Sequence, residues 1–229
     1  MCECSGLRPR TAGSIIAFEG RDLFMAYFPL FVDLSGQDCL LVGGGTVACR
    51  KAEKLLSYGP RLTVIAQEIT PALAALPGLA LCRRAFAPAD IAGRRLVIAA
   101  TSDRALNRAI SAQCQAAGIP VNVVDDPQAC TFLFPALVQR GALSVGISTG
   151  GASPSAAIWL KEQISAALPE RLDDILRWLE ACRPAIKAAC PAEAARAKVF
   201  HALFAAALAA DRPLNAAEYE QILAQEVLP

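Results

Sequence analysis

Two groups of residues in this sequence have types and spacing suited to chemistry. The first is Gly43, Gly45 and Ala48, which fall as Gly-x-Gly-x-x-Ala straight after the apolar run 39–42. That order is the dinucleotide fingerprint of a strand–turn–helix. Gly43 permits a tight turn out of the strand, Gly45 keeps side chains away from a pyrophosphate, and Ala48 lets the helix close on the sheet. Gly44, Thr46 and Val47 complete the turn, where unpaired helix amides and a partial positive charge suit phosphate. A tight turn that holds no ligand is the alternative. The second group is Asp125-Asp126, which ends the apolar run 119–124. A carboxylate at that address can serve as a general base, although Asp-Asp-Pro is also ordinary turn chemistry.

A sheet must hold these groups, and its signals are regular. Strands are expected at 38–42, 62–66, 79–83, 96–100 and 119–124. Helices are expected at 46–58, from Thr70-Pro71 for a short run, and from Asp103 to about 117. That alternation argues for an α/β fold, a Rossmann-like parallel sheet with crossover helices. The runs 131–139 and 142–148, joined at Arg140-Gly141, read as a hairpin. Ser153-Pro154 opens a helix to about 168, Pro169 and Pro184 punctuate the remaining chain, and everything from Glu170 onward is helical in pattern. The expected units are a poorly ordered extension over 1–24, a dinucleotide-binding domain over 25–140, a small hairpin/helix segment over 141–168, and a C-terminal helical domain over 169–229.

In such a sheet, ligands bind beyond the carboxyl ends of the strands. Gln67-Glu68 stands there, about 25 residues past Gly43, where an acidic residue can contact the adenosine ribose. Glu68 reads equally as a solvated charge. No arginine cluster flanks it, which favours NAD over NADP. Thr101 follows the fourth strand and can hydrogen-bond a ligand, while Ser102 or Asp103 caps the next helix. The single histidine, His201, lies among Phe200, Leu203 and Phe204, and is read as a packing or surface residue.

Bulk composition excludes several classes. Net charge is +1 and pI is near 7.5, so no global field draws nucleic acid or an acidic membrane surface. Mean hydropathy is +0.39, yet no stretch reaches the roughly 18 uninterrupted apolar residues of a membrane span. There are nine cysteines, but no CxxC and one histidine, so a Cys/His zinc site is not expected and no metal ligands are assigned. Reduced thiols in the cytoplasm are the economical reading. Residues 1–24 lack the apolar core of a secretory signal, and Met25 is an alternative start.

Five blocks, in order, resemble the precorrin-2 dehydrogenase family, the N-terminal module of siroheme synthase. They are Tyr27-Phe28-Pro29-Leu30-Phe31, the run from Leu41 through Gly43-Gly44-Gly45 to Arg50-Lys51, and Ala99-Ala100-Thr101-Ser102-Asp103 with Asn107. Asn122-Val123-Val124-Asp125 and Ser148-Thr149-Gly150-Gly151-Ala152-Ser153-Pro154 complete the set. The similarity spans 25 to about 210. It implies oxidation of precorrin-2 to sirohydrochlorin with NAD as hydride acceptor, and some members also insert ferrous iron. It implies Asp125 as general base, and NAD contacts at Thr46, Val47, Gln67 and Glu68. Asn122 and the turn Ser148, Thr149, Gly150 and Gly151 are implied at the tetrapyrrole site, with a homodimer formed through residues from about 130 onward. Some members carry a phosphorylated serine where this chain has Thr149. Arg50, Lys51 and Arg140 are candidates by position for meeting the substrate's carboxylates, and each reads equally as a solvated surface charge. The methyltransferase domain of siroheme synthase has no counterpart before Pro229, so precorrin-2 is expected from another enzyme. A NAD-sensing domain, or a tetrapyrrole carrier without turnover, is the competing reading.

Overall fold

The computed structural model describes residues 27–227. The extension expected over 1–24 lies outside them, as do Cys2 and Cys4. The element order is β1 (Asp38–Val42), α1 (Thr46–Leu56), β2 (Arg61–Ile65), α2 (Pro71–Ala74), β3 (Leu79–Cys82), β4 (Leu96–Ala99), α3 (Arg104–Ala116) and β5 (Val121–Val123). A hairpin of β6 (Ala136–Arg140) and β7 (Leu143–Ile147) comes next. The helices α4 (Pro154–Ala167), α5 (Leu172–Ala189), α6 (Glu193–Ala210) and α7 (Ala216–Val227) complete the chain.

The first five strands form one parallel sheet in the order β3-β2-β1-β4-β5. Central strands in such sheets are covered on both faces and read as continuous apolar runs. Leu40, Leu41, Val97 and Ile98 accordingly have no solvent exposure. One face packs Leu41, Val64 and Ile98 against Ala48, Ala52 and Leu55 of α1 and Leu73 of α2. The other packs Leu40, Val97 and Val121 against Ile110 and Cys114 of α3. Val42 pairs with Ile65 and with Ala99, and Ala99 pairs with Val123. Four strands therefore end level, and the loops at 43–45, 66–69, 100–103 and 124–126 leave the same edge. The chain crosses from one side of β1 to the other between β3 and β4, so the switch point falls between β1 and β4.

Three details differ from expectation. β5 is short because Pro120 has no N–H to donate and the Ile119 amide turns back to the Cys114 carbonyl at 2.8 Å. Residues 131–135 do not join the hairpin; Phe132 and Phe134 instead pack on the α1 face of the sheet, their rings 5.5 Å apart. Pro184 does not interrupt the chain, because α5 runs through it. Packing of Ile175 and Ile186 with Val199 and Leu203 of α6 outweighs the one lost backbone bond. Among the described residues, no helix is long and apolar enough to cross a membrane.

Candidate functional site

The glycine turn divides into residues the fold requires and one it does not. Gly43 has φ 127, and a Cβ there would collide with the Ala100 carbonyl. A Cβ on Gly44 would collide with the Glu68 carbonyl, and the Gly44 carbonyl accepts the Thr70 amide at 2.9 Å. These two glycines seat the turn against the loops after β4 and β2. Gly45 is different: its φ is −84 and nothing lies within 4 Å of where its Cβ would stand. No steric demand of the fold selects glycine there. The amides of Thr46, Val47 and Ala48 meet no acceptor among the described residues, and the first turn of α1 holds no acidic side chain. A backbone cradle with room above it and unpaired amides below fits a dinucleotide pyrophosphate. Gln67 and Glu68 are exposed on the loop that touches Gly44, at the carboxyl edge of the sheet.

Thr101 is held in a network. Its hydroxyl donates to Asn107 Oδ1 at 2.7 Å, and Asn107 Nδ2 donates back to the Thr101 carbonyl at 3.0 Å. Asn107 is buried, so this pair fixes the loop beside Gly43. Asp103, rather than Ser102, caps α3 by accepting from Ala105 N and Leu106 N at 2.9 and 3.1 Å.

The two carboxylates after β5 have separate fates. Asp126 accepts from Arg108 Nε at 2.7 Å. Asp125 accepts no hydrogen bond and joins no ion pair among the described residues, and it is exposed at the sheet edge. Its φ is 59, a left-handed conformation that only glycine, asparagine and aspartate visit routinely. The loop is fastened from behind. Cys130 Sγ takes the Val123 amide at 3.1 Å, and Asn122 donates to the Phe132 carbonyl at 3.0 Å. Asn122 is buried, so its amide positions this loop. Cys130 was not among the expected site residues; only the apolar position of a polarisable thiol hinted at it.

Lys51, on α1, is near enough to Asp125 to feel its charge without forming an ion pair. Its Nζ lies 3.9 Å from the centroid of the Phe134 ring. Burial, with Lys54 nearby, pushes the amine down to about 8, while Cys130 and Asp125 pull it back. Between pH 8 and the ordinary lysine value the unfolded chain holds a proton that the folded chain has released. Stability therefore rises with pH across that window. Lys51→Met should raise the unfolding free energy at pH 7 by on the order of 1 kcal/mol, with the gain gone by pH 10. Urea denaturation of both proteins at the two pH values measures it. Of the other basic candidates, Arg50 is exposed, and Arg140 donates to the carbonyls of Leu168 and Pro169 at 3.2 and 2.7 Å, tying the hairpin to the α4–α5 connection.

The second part of the expected site lies on the hairpin. Thr149 Oγ1 donates to the Ser153 carbonyl at 3.1 Å and receives the Ser153 amide at 3.2 Å. Ser148 Oγ receives the Gly150 amide, and Gly150 and Gly151 have φ of 62 and 89. No hydrogen bond among the described residues joins this turn to Asp125. The hairpin meets the sheet domain elsewhere, through Tyr58 OH and Ser144 Oγ at 3.1 Å. A cleft of about 770 Å³ opens between the hairpin and α5–α6, floored by Leu176, Leu179 and Phe204 with His201 on its rim. His201 is thus a surface residue.

Fold and glycine turn together define a dinucleotide-binding α/β protein. Residues 30–136 match the NAD_binding_7 family, described as "Putative NAD(P)-binding". The siroheme synthase of Methylococcus capsulatus is 42% identical over 175 residues, 75% of this chain and 37% of its own length. That of Chromobacterium violaceum is 39% identical over 197 residues, 85% of this chain and 42% of its own length. The solved structure of SirC, precorrin-2 dehydrogenase, superposes with a TM-score of 0.65 at 26% identity, covering 87% of this chain and 98% of that one. The chain is thus similar to siroheme synthases and to a precorrin-2 dehydrogenase. It spans well under half the length of the siroheme synthases it matches.

Proposed function

We propose that this chain oxidises precorrin-2 to sirohydrochlorin with NAD. The reading is carried by one convergence: a glycine turn with room for a pyrophosphate and an unpartnered carboxylate, Asp125, leave the same sheet edge. NAD, when bound, supplies the hydride acceptor. The amides of Thr46, Val47 and Ala48 would hold its pyrophosphate, with Gln67 and Glu68 at the ribose and Thr101 bounding the loop beside it. Extending conjugation in a reduced macrocycle loses a hydride and a proton, and Asp125 receives the proton from carbon. Asn122 and Cys130 keep that carboxylate at the rim. Arg108 neutralises Asp126, so a single negative charge faces the reacting ring.

The proposed division of labour is an NAD-binding unit over 25–140, a tetrapyrrole and dimer segment over 141–168, and a helical unit over 169–229. Dimerisation is supported by apolar side chains left in solvent on α4, where Ile158 and Trp159 are 55% and 57% exposed, and at Phe28 and Phe31. A partner copy would bring a Ser148–Gly151 turn to Asp125, which this copy's own turn does not reach by any hydrogen bond. The seven described cysteines are free thiols, which supports a cytoplasmic location. Iron insertion would use the same carboxylate, which can draw off pyrrole N–H protons as readily as a C–H proton; ferrous iron is then a second substrate. An anaerobic absorbance assay with precorrin-2 tests the whole reading. The sirohydrochlorin spectrum should grow only when NAD is present. Binding without spectral change would favour a sensor or carrier, and a second arm with sirohydrochlorin and Fe²⁺, against a protein-free control, reads chelation.

A further inference from the structure

A recess of about 110 Å³ lies between α3 and the loop after β5, lined by Arg104, Asn107, Arg108 and the 123–126 segment. Its polar groups are unequally committed. Both ends of the Asn107 amide are spent on Thr101. Arg108 gives Nε to Asp126, which fixes its plane, and its two terminal nitrogens have no partner among the described residues. Arg104 is exposed and enters no ion pair among the described residues. The two guanidiniums stand four residues apart on α3, a spacing that puts side chains on one face of a helix. What remains available in the recess is therefore the unpaired Arg104 guanidinium, the two terminal nitrogens of the Asp126-paired Arg108, and the Asp125 carboxylate.

A guanidinium fork matches a carboxylate with two parallel hydrogen bonds. The volume is enough for an acetate- or propionate-sized group. We infer that Arg104 and Arg108 form a carboxylate subsite, which takes one peripheral acidic side chain of the macrocycle and so sets which ring carbon faces Asp125. This deepens the proposed dehydrogenase reading and rests on it. Arg50, Lys51 and Arg140 lie on other elements and do not line this recess.

Arg104→Gln and Arg104→Lys separate the subsite from a solvated surface charge. Arg104 is exposed, so both variants should keep the wild-type melting temperature. Losing one charged fork should raise KM for precorrin-2 about tenfold and weaken sirohydrochlorin binding by a similar factor in an absorbance titration. KM for NAD should not move, and the lysine variant should recover part of the loss. Values for Arg104→Gln within twofold of wild type, or an equal rise in KM for NAD, would overturn the subsite. The wild-type controls read the parent proposal separately. Wild type that binds sirohydrochlorin without turnover sinks the dehydrogenase reading, while the titration still decides the subsite. Wild type that neither turns over nor binds sirohydrochlorin sinks both.

Discussion

Gly45→Asp abolishes NAD binding and leaves the protein folded. Space above Gly45 is open and its backbone is unstrained, so a Cβ there meets no protein atom within 4 Å. Aspartate is also a favoured helix N-cap, so the melting temperature should hold or rise slightly. The ligand suffers instead. A carboxylate would occupy the room kept for a pyrophosphate and place like charges a few ångströms apart, which costs about 3 kcal/mol or more near a protein surface. Affinity should fall at least about 100-fold, as isothermal titration with NAD measures. Gly44→Ala is the contrast. Its Cβ would drive into the Glu68 carbonyl, so it should lose about 1–3 kcal/mol of stability. If Gly45→Asp binds NAD normally, the turn is only structural.

Asp125→Asn should lower turnover about 10²- to 10⁴-fold, the usual contribution of a positioned general base, with NAD affinity within twofold of wild type. Asparagine is the informative variant because the residue sits at φ 59, which asparagine tolerates. Alanine there should lose turnover as well, but it adds backbone strain that could shift the loop. Steady-state rates at saturating NAD, with NAD titrations alongside, measure the split. Wild-type turnover in Asp125→Asn would remove the carboxylate from its role.

The sheet was readable because its strands are apolar on both faces and its glycines mark the turns. β1 and the start of α1 fall where periodicity places them. Long-range packing was less legible. Phe132 and Phe134 carry a strand-like pattern, yet their rings fill the α1 face of the sheet. Pro184 reads as a breaker, yet a buried seam with α6 carries the helix through it. In the site, residue types found the Asp125–Asp126 pair and the family resemblance pointed to Asp125, but neither showed which carboxylate is free of an ion pair. The ion pair that decides it comes from Arg108, eighteen residues away. The turn roles of Gly43 and Gly45 were legible, but the close contacts that demand glycine at 43 and 44 were hidden, since they depend on carbonyls of Ala100 and Glu68 brought in by neighbouring strands.

A crystal structure with NAD and sirohydrochlorin bound is the most direct measurement. The account predicts the pyrophosphate over Gly45 and the macrocycle edge at Asp125, both beyond the ends of β1, β4 and β5. A dinucleotide seated away from that turn, or a macrocycle out of reach of Asp125 in both copies of a dimer, would contradict it.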